Sequence, residues 1–235
     1  MGEQQDIFEI FEGVKTADQQ DLLNLDEEVQ EALITHARVS NEKANENFRK
    51  GVNAFCASRF PFRTGEMIVG IGNTKDRIKK DAASDTSFND EGYNKLVKMY
   101  RYILSISEKR REVLKVLSGS SYPEVRGQVK KDTDEILDDV IKSIIESGMV
   151  RNRKPKQLYD ILQDLSGEGL PHLSGEGDFH DGLVAILEEH DLLNADHKNG
   201  NGKALSGFGY SVLLRLRNVL GRPETDPVPV YGPGL

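Results

Sequence analysis

Apolar positions along this chain recur at the spacing of one helical face, in three long runs before residue 150. Val29, Leu33, Ala37, Ala44, Phe48, Val52 and Phe55 predict one amphipathic helix over about Asp26–Ser58. Asn24 and Glu27 stand before it at capping-box spacing, with Asn in place of Ser or Thr. Phe60-Pro61-Phe62 breaks the run. Glu66–Ile71 then reads as a short strand or a buried loop, Gly72-Asn73 as a turn, and Thr74–Ala83 as a short polar helix before the polar loop Ser84–Phe88. A second long helix starts near Asn89, carries Tyr93, Leu96, Val97, Tyr100, Ile103, Leu104, Val113, Leu114 and Leu117, and ends at Gly119. The third opens with Ser121 at the cap, Pro123 in the first turn and Glu124 three residues on. Its stripe runs through Val125, Val129, Ile136, Leu137, Val140, Ile141, Ile144 and Ile145 to a stop at Gly148. The stripes suit a bundle within one chain, dimerisation, or both.

The pattern changes after Val150. Pro155 suits the first position of a helix whose apolar face is Leu158, Ile161, Leu162 and Leu165. A Gly-rich loop, Ser166–Gly177, follows, and then a helix capped by Asp178 that bears Leu183, Val184, Ile186 and Leu187. Leu192-Leu193-Asn194 and Ala204-Leu205 read as two short strands around a polar turn, Asp196–Lys203, rich in Gly and Asn that tolerate positive φ. Ser206 caps a last helix with Phe208, Val212, Leu213, Leu216 and Leu220.

This succession resembles the winged-helix fold. The residues that carry the likeness are Leu187–Leu193 at the end of the second helix-turn-helix helix, Lys198–Lys203 at the wing tip, and Leu205-Ser206-Gly207-Phe208-Gly209-Tyr210 leading into the last helix. It covers little more than a quarter of the chain. Two features depart from the family: Ser166–Gly177 is long for a helix-turn-helix connection, and Leu170–Leu173 within it is either a very short helix or part of an enlarged turn. The helix that would read DNA, Asp178 to His190, holds no Arg or Lys.

The expected fold class is therefore mainly α: an N-terminal bundle of long helices followed by a winged-helix domain with a small β-hairpin wing. Four regions follow: an acidic arm over 1–23, a helical domain over 24–150, a winged-helix domain over 151–221, and a Pro/Gly-rich extended tail over 222–235. The arm holds a small apolar cluster at Ile7, Phe8, Ile10 and Phe11, which is either mobile or a short helix docked on the body or a partner.

Charge limits what such a fold can bind. The net charge is −8 over 235 residues, and neither side of Val150 carries a basic excess. A broad phosphate-gripping face is therefore excluded, and contact with nucleic acid must rest on local patches. The resemblance and the local charge point to Arg151, Arg153, Lys154 and Lys156 on the hinge, with Lys198 and Lys203 on the wing, as phosphate-holding residues. A secondary basic patch is Lys109, Arg110, Arg111, Lys130 and Lys131, which are either a phosphate or acidic-partner surface or solvated helix charges.

No catalytic constellation emerges. Cys56 sits in a helical stripe and reads as a core thiol, while Asp138-Asp139 and Glu188-Glu189 are adjacent pairs on helices that point apart. His172, His180, His190 and His197 lack metal-ligand spacing, and Gly70–Lys75 lacks the Lys-Ser/Thr end of a phosphate loop. The expectation is a protein that is not an enzyme and has neither cofactor nor metal. A single cysteine, no leader or myristoyl pattern at the start and no long apolar run favour a reducing, cytoplasmic setting away from membranes. The expected partners are duplex DNA through hinge and wing, and a second copy or another protein through the N-terminal helices. The competing expectation is an assembly adaptor whose winged helix binds protein.

Overall fold

A computed structural model describes residues 6–16, 18–59, 64–84, 88–150, 153–167, 177–194 and 204–221, with the side chains of 64–66, 167 and 177–181 also left aside. Among these residues every element is a helix: the helical part of the expected fold is present, and the small β-hairpin wing is not seen. Two compact units divide it, Met1–Asp132 and Thr133–Leu235. The division falls inside a helix, whereas composition shifts only after Val150.

In the first unit, α1 (Ile7–Gly13) and α2 (Gln19–Leu23) precede α3 (Glu27–Arg59), α4 (Thr64–Ala82) and α5 (Glu91–Leu117). Helix α6 (Pro123–Glu146) begins here. The long predicted helices are present, and α3 packs along α5. Phe48, Val52, Cys56, Ile78, Tyr93, Leu96 and Val97 form one buried cluster beneath α3, α4 and α5. Cys56 is a core thiol as expected, 1% exposed, with its sulfur 3.6 Å from Thr74 Oγ1. The arm is helical and docked: Phe11 and Val14 are buried, and the rings of Phe11 and His36 meet edge to face at 4.9 Å.

Three local expectations are corrected. Glu66–Ile71 is neither strand nor loop, and Gly72-Asn73 does not turn the chain, because both lie within α4. Ile71 and Ile78 of that helix pack against the α3–α5 core, and this burial outweighs the β-preference of Ile and Val and the poor helix propensity of Gly. Asn24 closes α2 instead of opening α3, accepting from the Gln20 amide group at 3.2 Å, and α3 starts from the Asp26 carbonyl. Pro123 lies in the first turn of α6 as expected, but it is the first residue, so Tyr122 and not Ser121 precedes the helix: Arg126 N–H donates to Tyr122 O at 3.1 Å, and Ser120 Oγ accepts from Tyr122 N–H at 3.2 Å.

The second unit holds the rest of α6, α7 (Pro155–Gly167), α8 (Gly177–Glu189) and α9 (Gly207–Val219). Pro155 opens α7 as expected. Leu137, Ile141 and Ile144 from α6 join Leu158, Leu162, Leu183, Leu187, Val212 and Leu216 in one core. Burying a Leu of this kind contributes about 1.5–3 kcal/mol, enough to hold short helices that would be marginal alone.

Candidate nucleic-acid interface

Between α8 and α9 the described residues, 190–194 and 204–206, are held by turn and cap chemistry. Asp191, just after α8, has φ 57°. Leu192 N–H donates to Leu187 O at 2.8 Å and Asp191 N–H to Glu188 O at 2.9 Å. These two bonds and the left-handed residue form a Schellman stop, with Leu187 and Leu192 buried together. The chain then leaves extended. Leu193 and Leu205 form an antiparallel bridge, flanked by Asn194 N–H to Ala204 O and Ser206 N–H to Leu192 O, both at 2.8 Å. The two short strands expected here are thus reduced to a single bridge, and no strand exists among the described residues. The expected wing tip, Lys198–Lys203, lies outside the described residues, as does Leu170–Leu173.

Ser206 caps α9, as expected. Its Oγ accepts from Gly209 N–H at 2.9 Å and donates to Asp191 O at 2.5 Å, so one hydroxyl ties the start of α9 to the end of α8. Gly209 is demanded by proximity: a Cβ there would lie 2.3 Å from Leu192 O. The Leu-Ser-x-x-Gly phrase is therefore a packing device that brings the first turn of α9 onto the stem of the bridge.

Of the hinge residues, Arg153, Lys154 and Lys156 are exposed and lead into the first turn of α7. Arg153 has φ 50°, a conformation that costs a non-Gly residue about 1 kcal/mol, and its guanidinium lies near left-handed Gly148 at the end of α6. Arg151, Lys198 and Lys203 lie outside the described residues. The side chains of α8 are described only from Gly182 onward. Gly182 itself is close-packed, since a Cβ there would lie 2.9 Å from Met149 Sδ.

The secondary basic patch does not form one surface. Arg110 is 8% exposed and faces inward, its Nη2 3.5 Å from Asp132 Oδ2. Asp132 is fully buried, accepts from Gln128 Nε2 at 3.0 Å, and has Arg38 at 3.9 Å. Lys109 pairs with Glu12 and sits 5.7 Å above the Phe11 ring, which fastens α1 to α5. Arg111, Lys130 and Lys131 are exposed. Sequence carried the signal for Arg110: it falls at helical spacing with Ile106, Val113 and Leu117, and Asp132 falls likewise with Val125, Val129 and Ile136. Opposite charges at stripe positions of two consecutive helices mark a buried pair.

Among the described residues no group of three His, Cys, Asp or Glu side chains could hold a metal ion, and no helix is long and apolar enough to cross a membrane. Compared with known proteins, the chain matches no family model, no curated protein and no solved structure.

Proposed function

We propose that this is a non-enzymatic winged-helix protein that binds nucleic acid, a regulator of transcription in type, with its N-terminal helices serving oligomerisation, in a reducing cytoplasmic setting. The observation that carries the reading is the Leu193–Leu205 antiparallel bridge between α8 and α9, which falls at the two positions where the resemblance expects the strands flanking a wing. Lys198 and Lys203 belong to the segment it closes, and exposed Arg153, Lys154 and Lys156 open α7 of the same unit. With no Arg or Lys in α8, the contact is to phosphates rather than base edges, and sequence preference is weak.

The test is fluorescence anisotropy of the full chain on duplex DNA over a salt series. Replacing Arg151, Arg153, Lys154, Lys156, Lys198 and Lys203 by Gln is expected to weaken binding about tenfold or more at low salt and to flatten the salt dependence. Unchanged affinity, or no binding by the parent protein, overturns it in favour of the adaptor reading. That second reading, in which the winged helix and the helical domain bind protein, is favoured by Ile68 and Val69 on α4, which are 65% and 62% exposed.

A further inference from the structure

The outward side of α3 carries a stripe distinct from its core face. Glu28, Ala32, Thr35 and Val39 follow one another at steps of four, three and four residues, while Leu33, Ile34 and Ala37 point into the core. Helix α1 runs beside this stripe and leaves an open trough between the two helices, with Phe8 on its α1 side. Phe8 is 54% exposed and Val39 50%, although Phe8 is held in place by an edge-to-face contact with His36 at 5.9 Å. Asp6 caps α1 by accepting from Phe8 N–H at 3.1 Å, which sets the start of the helix and places its own carboxylate at the trough.

Charge around this apolar floor has one sign. Among the described residues, Asp6, Glu28 and Glu31 line it together with His36, and neither Lys nor Arg does. Close by, burial and then the carboxylates of Glu124 and Glu31 push Glu27 above its ordinary value, so negative charge is already crowded at this end of α3. From Glu28 to Val39 the stripe extends about 16 Å, three turns of helix.

We propose that the α1–α3 trough is a docking site for a cationic amphipathic helix of a partner protein, whose apolar residues rest on Phe8, Ala32 and Val39 while flanking Lys or Arg meet Asp6, Glu28 and Glu31. Charge complementarity selects this occupant. A second copy seated symmetrically would bring the same acidic rim against itself, and like charges oppose such a pairing. A helix with anchors at i, i+3, i+4 and i+7 matches both the length and the spacing of the floor.

The probe is a synthetic peptide with leucines at those positions and lysines flanking them, titrated against the full chain by fluorescence anisotropy. Its controls are the same residues in scrambled order and a version with Glu for Lys. The expected result is saturable, salt-weakened binding of the patterned peptide only, reduced about tenfold by Val39→Glu and by Phe8→Ser, and about fivefold by Glu28→Gln with Glu31→Gln. Circular dichroism of each variant is expected to match the parent, since every altered side chain is at the surface. Equal binding of the scrambled peptide, or unchanged affinity in these variants, overturns the proposal. So does a concentration-dependent dimer in sedimentation that Val39→Glu dissolves, which would assign the trough to a second copy.

Discussion

Where helices meet in the N-terminal unit, buried polar side chains hold the junctions; in the C-terminal unit backbone conformation does so. Gln30, fully buried, donates from Nε2 to Leu23 O at 3.1 Å and Leu25 O at 3.0 Å and accepts from Ser120 Oγ at 2.7 Å. One side chain thereby joins the α2–α3 turn to the α5–α6 turn. Arg110 and Asp132 join α5 to α6 in the same manner. Between α8 and α9, by contrast, the joint consists of left-handed Asp191, the Ser206 cap and the close approach at Gly209. The difference bears on function. Charges that look available in the N-terminal unit are partly consumed by its architecture, whereas the C-terminal unit needs few charges to fold and leaves Arg153, Lys154 and Lys156 at its surface.

The comparison breaks most visibly at Asp132. Asp132→Asn leaves the Arg110 guanidinium facing a neutral group in a buried site, and a loss of about 3–5 kcal/mol is expected in urea unfolding followed by circular dichroism. Replacing Arg110 and Asp132 together by Met and Leu is expected to recover most of that loss; a double variant as unstable as the single one would show that packing, not charge, is decisive there. Gly209→Ala is the corresponding test of the C-terminal unit. Its Cβ would meet the Leu192 carbonyl, a backbone atom that cannot step aside, and a cost of about 3 kcal/mol is expected, read as lost amide protection around Leu193 and Leu205 in hydrogen exchange.

The smallest effect concerns an ion pair between α9 and α6 in the C-terminal unit. Arg215 of α9 donates from Nε to Asp138 Oδ1 at 2.8 Å and from Nη2 to Oδ2 at 2.6 Å, with Asp134 at 3.1 Å. The hydrogen bond from Arg215, with its charge, holds the Asp138 carboxyl below its ordinary value. A carboxylate shifted downward contributes stability above its unfolded value and loses it as pH falls through the lowered folded value. Because the Asp138 side chain is 49% exposed, solvent screening keeps this contribution below about 1 kcal/mol. Asp138→Asn is expected to lower Tm by a few degrees near neutral pH and by nothing once the parent carboxylate is protonated in acid; a difference that persists there would locate its cause outside the ion pair.

How far sequence revealed these arrangements depends on what each element needs. Helices α3, α5 and α6 were legible because their apolar residues recur on one face. The docked arm was legible as an alternative, through Phe11. The second half of α4 was legible as the polar helix Thr74–Ala83, but its first half was not, because Met67-Ile68-Val69-Gly70-Ile71 has strand-like composition and the helix is held by tertiary burial of Ile71 and Ile78. Ser206 and Pro155 announced their helices by local chemistry alone. The strands did not follow from composition: a single bridge suffices where Gly209 lets α9 press on the stem. For the candidate interface, the exposed hinge charges were legible as charge, but the inward turn of Arg110 required pairing it with a residue on the next helix.

The Leu193–Leu205 bridge also provides an anchorage for inserted sequence. Closure has its own support at the stem, in two backbone hydrogen bonds and two buried leucines. Since each doubling of a flexible loop adds only about 0.6 kcal/mol to the entropy of closing it, a flexible sequence inserted between the two leucines is expected to cost folding little. The joint between α8 and α9 is thus a socket into which foreign sequence can be grafted.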